Sequence, residues 1–328
     1  MVKTKVLYVN QEVFPYLESD LANLGRFLPQ YIQEHGKEVR LFMPKFGGVN
    51  ERKNQLHEVI RLSGMNLIID DSDHQLIIKV ASIQSARMQV YFIDNEDYFQ
   101  RKTNVFDTDG GLLEDNDERI MFYARGVLET IKKLSWKPNI IHCLGWFTAL
   151  LPFYVKRTEY KNNPFFNDCK VVLSLFNDEF QGSLVETFLK KLKVEGGTAK
   201  DWKVYKEPTY LNIMKAAISY ADAVVVAQEG VNQELIDFAI ANKKQVVDYA
   251  PFDEQREKIN ATLSRVGSKD LAKTISNETE VINTNSGSLL DAMSASAADA
   301  GVIKYSIYSD KLSRLINIRY IYDKVCYC

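Results

Sequence analysis

The sequence predicts a doubly wound, mostly parallel α/β sheet with a small β-hairpin insert. Short β-branched runs alternate with longer amphipathic segments over about the first 250 residues. Several of the runs, NIIHCL, KVVLSLF and AVVVAQ, are apolar at successive positions, as strands covered on both faces are. Turn and stop residues such as Gly36 and Pro44 punctuate the alternation.

KVLYVN reads as the first strand, and Ser19 or Asp20 as the cap of a helix running to about His35. KEVRLFMP is the next strand. HEVIRLSGMNLIID, QLIIKVASI and RMQVYFID alternate with short polar breaks and read as the hairpin insert. DNDERIMFYARGVLETIKKL has helical apolar spacing and lysines in its last turn. Further helices are expected from Trp146 onward, over Tyr210 to Tyr220 and over Val231 to Ala241, and KQVVDY reads as a final strand. The composition turns rich in Ser, Ala, Asn and Thr near Asn260. The expected organisation is an α/β domain over 1–255, a poorly ordered low-complexity linker over 256–303, and a short segment over 304–328 with no readable role.

With 328 residues, 46% hydrophobic and 26% charged, the chain has the composition of a globular protein with a sizeable core. Forty-one basic against forty-three acidic side chains leave a net charge of -2, which gives no reason to expect nucleic acid or an anionic membrane as partner. MVKTKVLYVN carries too short an apolar run for a signal peptide, and no later run has the length to span a bilayer. Cys143, Cys169, Cys326 and Cys328 lack zinc-site spacing and are too few for a disulfide framework, so a cytoplasmic location is expected.

Open sheets of this class bind ligands beyond the carboxyl ends of their strands. Three such loops are readable: one with Glu18, Ser19 and Asp20, one from Leu144 to Thr148, and one from Phe176 to Gly182. Together they describe an aromatic and acidic cleft, in which Trp146, Phe176 and Phe180 are either sugar-stacking faces or plain packing. Neither a dinucleotide fingerprint nor a P-loop occurs, and no nucleophile–base arrangement can be argued, so no catalytic residue is assigned. His142, alone at a strand end, reads as a hydrogen-bonded structural residue rather than a base. The Asp70–His74 run has oxygen ligands at alternate positions but fits a polar hairpin turn better than a metal site. No metal and no cofactor are expected.

Several spaced motifs, in order, resemble the N-terminal domain of bacterial glycogen and starch synthases, glycosyltransferase family 5 with the GT-B fold. Glu12-Val13, Pro15-Tyr16, Leu21-Ala22 and Leu28-Pro29 keep the frame of the family's E-V-x-P-[FY]-x-K-x-G-G-L-A-D opening and the A-L-P after it. HGKEVRLFMPKFG, DNDERIMFYARGVLE, PNIIHCLGWFTAL and LNIMKAAISYADAVVVAQ are similar to later family segments. The resemblance covers residues 3 to about 245 and implies a Rossmann-like half of a two-domain enzyme. That enzyme moves glucose from ADP-glucose to an α-1,4-glucan with retention and without metal.

The resemblance also marks departures. The family's donor-phosphate lysine falls at Glu18, and its glycine pair is replaced by Asp20 with one residue deleted. The family's aspartate falls at Gly145 and the histidines flanking it at Leu144 and Phe147, while the histidine that contacts the transferred glucose falls at Phe176. His142, Trp146, Thr148, Asn177, Gln181 and Gly182 are retained. Residues 260–328 resemble no part of the family's second domain. The implied function is a synthase-like domain that is weak or inactive alone, with a non-catalytic α-glucan-binding or regulatory protein as the alternative. The implied partners are a glycogen-like glucan or ADP-glucose, and a separate synthase domain or a second copy. Exchanging Glu18→Lys, Gly145→Asp and Phe176→His is expected to restore donor contacts.

Overall fold

Ten strands form the centre of the molecule in a computed structural model that describes residues 3–267. They are β1 (Lys5–Asn10), β2 (Glu38–Pro44), β3 (His57–Glu58), β4 (Met65–Ile69), β5 (Ser72–Ile83), β6 (Met88–Asp94), β7 (Ile140–Leu144), β8 (Lys170–Leu175), β9 (Ala223–Val226) and β10 (Gln245–Val247). The order across the sheet is β10-β9-β8-β7-β1-β2-β6-β5-β3, with β4 paired to β5 off this path. The pairings from β10 through to β6 are parallel, and those made by β5 are antiparallel.

The helices are α1 (Asp20–Glu34), α2 (Glu96–Phe99), α3 (Asn116–Lys133), α4 (Leu151–Arg157), α5 (Phe188–Glu195), α6 (Ala199–Trp202), α7 (Tyr210–Tyr220), α8 (Gln233–Ala241) and α9 over 252–267. Ser19 caps α1 by accepting from the Ala22 N–H at 2.9 Å, and Asp20 places a carboxylate in the first turn, where the helix dipole favours it. Leu21, Leu24, Leu28 and Ile32 follow at helical spacing and are buried, so α1 is held by one apolar stripe. Each such leucine contributes about 1.5–3 kcal/mol by leaving water.

Strand alternation divides the interior into two cores. Leu7 and Val9 of β1 face a core shared with α3, α4 and α7, whereas Val6 and Tyr8 face one shared with α1 and α9. Helices therefore cover both faces, as the apolar strand runs require.

Two expectations change, and the hairpin turn expected at Asp70–His74 holds. RMQVYFID, read as part of the insert, becomes β6 and pairs in parallel with β2, so it belongs to the main sheet. The Asp70–His74 run is the hairpin turn: Asp70 and Asp71 join β4 to β5, with Ile69 opposite Ser72. Asp70 adopts φ 56°, a conformation that Asp tolerates better than most residues. Finally, a boundary at 255 would fall inside α9. Ile259 and Leu263 are fully buried against β1 and β7 residues, and Lys37 donates to Asn260 Oδ1 at 2.5 Å and Ser264 Oγ at 3.0 Å. Residues 256–267 are thus part of the α/β unit, because an apolar sheet face needs a cover. The rest of the expected linker, 268–303, and the segment 304–328 lie outside the described residues.

Candidate functional site

β1 has β2 on one side and β7 on the other, so the direction of winding reverses there. Loops leaving the carboxyl ends of β1, β7 and β8 diverge at this switch point and leave a cleft of about 530 Å³. Its walls include Gln11, Glu12, Ser19 and Asp20 after β1, Trp146 after β7, and Phe176 to Glu179 after β8. Asn104, Phe106 and Gln228 close it.

In the first loop, Ser19 Oγ donates to Glu12 Oε2 at 2.5 Å while also capping α1. Burial raises the Glu12 carboxyl above the usual carboxylate range, against the lowering effect of the Ser19 bond. Asp20 is exposed and accepts from Gln228 Nε2 at 3.1 Å. Glu18, also exposed, does not line the cleft; Ser19 and Asp20 do. In helix and cap geometry, neighbouring residues project in different directions, so only the folded loop selects among the three.

The second loop turns on Gly145, with φ 87° and ψ 155°, a conformation that only glycine adopts readily. A Cβ there would lie 2.8 Å from Leu21 Cδ1 and 2.9 Å from both Gln11 Cβ and Gln11 Oε1. The space is filled, so Gly145→Asp cannot simply restore an acidic contact, contrary to the expectation from the motif. Phe147, at the place of a family histidine, is fully buried among Phe46, Tyr123 and Trp146. Thr148 Oγ1 donates to the Gly145 carbonyl at 2.7 Å and is a turn-closing residue buried below the cleft.

In the third loop, Phe176 and Asn177 line the cleft, whereas Gln181 and Gly182 are exposed beyond it. Trp146 and Phe180 pack edge-to-face with centroids 4.7 Å apart and are 1% and 3% exposed. Packing therefore claims both rings, although an edge of Trp146 reaches the cleft. Phe106, 37% exposed, is the aromatic wall that faces solvent. Sequence reading missed it, because it lies in an irregular segment with no periodicity.

His142 is fully buried, with Nε2 2.8 Å from Ser174 Oγ. Burial lowers its pKa to about 3, so it is neutral near pH 7 and structural, and it does not line the cleft. Asp178, unremarked in the sequence, organises the site instead. Its Oδ2 accepts from the Trp146 N–H at 2.9 Å and its Oδ1 from the Tyr210 hydroxyl at 2.7 Å. Burial raises its carboxyl as well.

Among the described residues, the carboxyl side chains of Glu12, Asp20, Asp178 and Glu179 line the cleft and no lysine or arginine does. Gln11, Asn104, Asn177 and Gln228 add amides. Such a surface offers hydrogen bonds to hydroxyls and repels phosphate. Among the described residues, no group of His, Cys, Asp and Glu is arranged to hold a metal ion, and no helix is long and apolar enough to cross a membrane.

Residues 5–245 match the family model of the starch synthase catalytic domain. The chain is 39% identical over 235 residues to a glycogen synthase of Chlorobium limicola, covering 71% of this chain and 47% of that protein. It is 37% identical over 236 residues to one of Chlorobaculum tepidum, again 71% and 47%. The chain thus spans about half the length of these curated relatives. The catalytic domain of starch synthase IV from Arabidopsis thaliana, solved with ADP and acarbose bound, shares the fold with a TM-score of 0.60 at 18% identity over 75% of this chain and 51% of that one. With the motif order, the switch-point cleft and these similarities together, the chain belongs to the starch synthase catalytic domain family.

Proposed function

We propose that this chain is a glycogen/starch synthase-like glycosyltransferase domain that, by itself, transfers glucose from ADP-glucose to an α-1,4-glucan weakly or not at all, and that its cleft binds neutral glucan. The observation that carries this reading is the charge of the cleft: among the described residues, four carboxyl side chains line it without a lysine or arginine. A like-charge pair 4 Å apart costs about 4 kcal/mol at an effective dielectric of 20, and a departing diphosphate brings several negative charges. Charge stabilisation of the leaving group is commonly the largest catalytic contribution, and the described residues of this cleft provide none from lysine or arginine. Amides and the exposed Phe106 ring suit sugar hydroxyls and C–H faces instead. Cys143 and Cys169 are both buried, which fits the reducing cytoplasm we infer for the chain.

The test is transfer of radiolabelled glucose from ADP-glucose to glycogen by the purified chain, together with calorimetry of ADP-glucose and of maltooligosaccharides. Glucan binding without transfer and without donor heat is the expected result. Tight donor binding or turnover at the rate of a full synthase would overturn it. The absence of glucan binding as well would also remove the alternative of a non-catalytic glucan-binding or regulatory protein.

A further inference from the structure

Beside the cleft lies a second groove of about 330 Å³. Three places in the fold build it: the first two turns of α1 (Asn23, Leu24 and Phe27), the end of β9 (Ala227 and Gln228), and the entry to α9 (Tyr249, Phe252 and Gln255). Phe27, Tyr249 and Phe252 are 43%, 45% and 37% exposed. Rings of this size are usually buried, so three gathered on one open hollow mark a binding surface.

Cations pack on two of these rings, with the Arg26 guanidinium 5.3 Å from the Phe27 centroid and that of Arg256 5.4 Å from Phe252. These contacts hold the rings at the surface. The groove and the cleft are contiguous, because Asp20 and Gln228 line both. Gln228 Nε2 donates to Asp20 and its Oε1 accepts from the Asn177 N–H at 3.2 Å, so the shared wall is fixed to both α1 and the β8 loop.

We propose that this groove is a second carbohydrate subsite, holding sugar units of an α-glucan chain whose other units lie in the cleft. The proposal rests on the reading that the cleft takes glucan. Pyranose rings present C–H faces to aromatic rings and hydroxyls to amides, and the exposed Asn23 amide stands beside the three rings, while Gln228 and the buried Gln255, whose Nε2 donates to the Val226 carbonyl at 2.6 Å, hold the wall in place. Among the described residues of the lining, Asp20 is the charged one. A neutral polymer carries no charge to desolvate there, whereas a phosphate-bearing one would meet the Asp20 carboxylate, with the Arg26 and Arg256 guanidiniums already engaged on the Phe27 and Phe252 rings. A chain running over Gln228 would pass from one cavity to the other.

Calorimetry on the full chain with maltotriose and maltoheptaose tests this. The wild type should bind maltoheptaose more tightly than maltotriose. A Tyr249→Ala, Phe252→Ala double variant should lose that advantage, about tenfold at roughly threefold per ring, with maltotriose affinity unchanged. Tyr249→Trp should retain it, which separates ring stacking from misfolding. Unchanged maltoheptaose affinity in the double variant, or none in the wild type at millimolar sugar, overturns the proposal. So does a dimer, seen by light scattering, that the double variant dissolves, because a second copy would then occupy the groove. If Asn177→Ala and Phe106→Ala leave maltoheptaose binding intact while the double variant abolishes it, the groove binds sugar and the cleft reading fails.

Discussion

The Gln11 side-chain oxygen accepts from the Phe147 N–H at 3.1 Å, and the same side chain fills the space into which a Cβ at Gly145 would project. One amide therefore both anchors the β7 loop and occupies the place of a missing side chain. Glycine at position 145 is built into the packing of this loop.

Gly145→Asp should for this reason destabilise the protein by about 2–4 kcal/mol, combining a left-handed backbone at a non-glycine residue with overpacking against Gln11 and Leu21. Denaturant melts should show a lower midpoint at unchanged m-value. Restored donor binding with wild-type stability would show that the loop re-forms.

The buried His142 predicts a pH dependence. Its folded pKa of about 3 lies below the unfolded value near 6.5, so between these the unfolded chain binds the extra proton. Stability from this group is complete above about pH 6.5 and is lost as pH falls toward 3. Acidic groups with raised pKa, such as Glu12 and Asp178, act in the opposite sense, so the comparison is with a His142→Gln variant. Between pH 6.5 and 4 the wild type should lose more stability than the variant, by about 1.4 kcal/mol per pH unit. Parallel curves would show that the ring is protonated in the native state.

Asp178→Ala removes the acceptor of both the Trp146 N–H and the Tyr210 hydroxyl. An unpartnered polar group in a buried setting costs about 1–3 kcal/mol. Hydrogen exchange at the Trp146 amide should quicken in this variant, and Asp178→Asn, which keeps an acceptor oxygen, should fall between it and the wild type. Unaltered exchange in the alanine variant would mean that the loop is held by other contacts.

Leu263→Ala should cost about 2–4 kcal/mol, the range for a fully buried leucine truncated beside a rigid sheet. Thermal unfolding measures it. A change under about 0.5 kcal/mol, the scale of an exposed site, would show that α9 does not cover the sheet.

The strands and principal helices were legible because their information is local. Tyr210–Tyr220 and the Ser19 cap follow from periodicity and from one hydroxyl placed before an apolar stripe. The doubly wound parallel architecture followed too, since alternating strands and helices leave few right-handed arrangements. Motif order alone placed the chain in its family. Contacts between segments far apart in sequence were decided by tertiary structure. Trp146 and Phe180 could have been sugar platforms until the edge-to-face packing buried them, and His142 could have been a base until the sheet closed around it. Asp178 gained its role only when β8 and α7 brought Trp146 and Tyr210 to its two oxygens. In the same way α9 joined the domain because Ile259 and Leu263 found an uncovered sheet face, which a polar, Ser- and Asn-rich neighbourhood in the sequence conceals. Burial is a property of the surroundings, and a residue's own letter does not carry it.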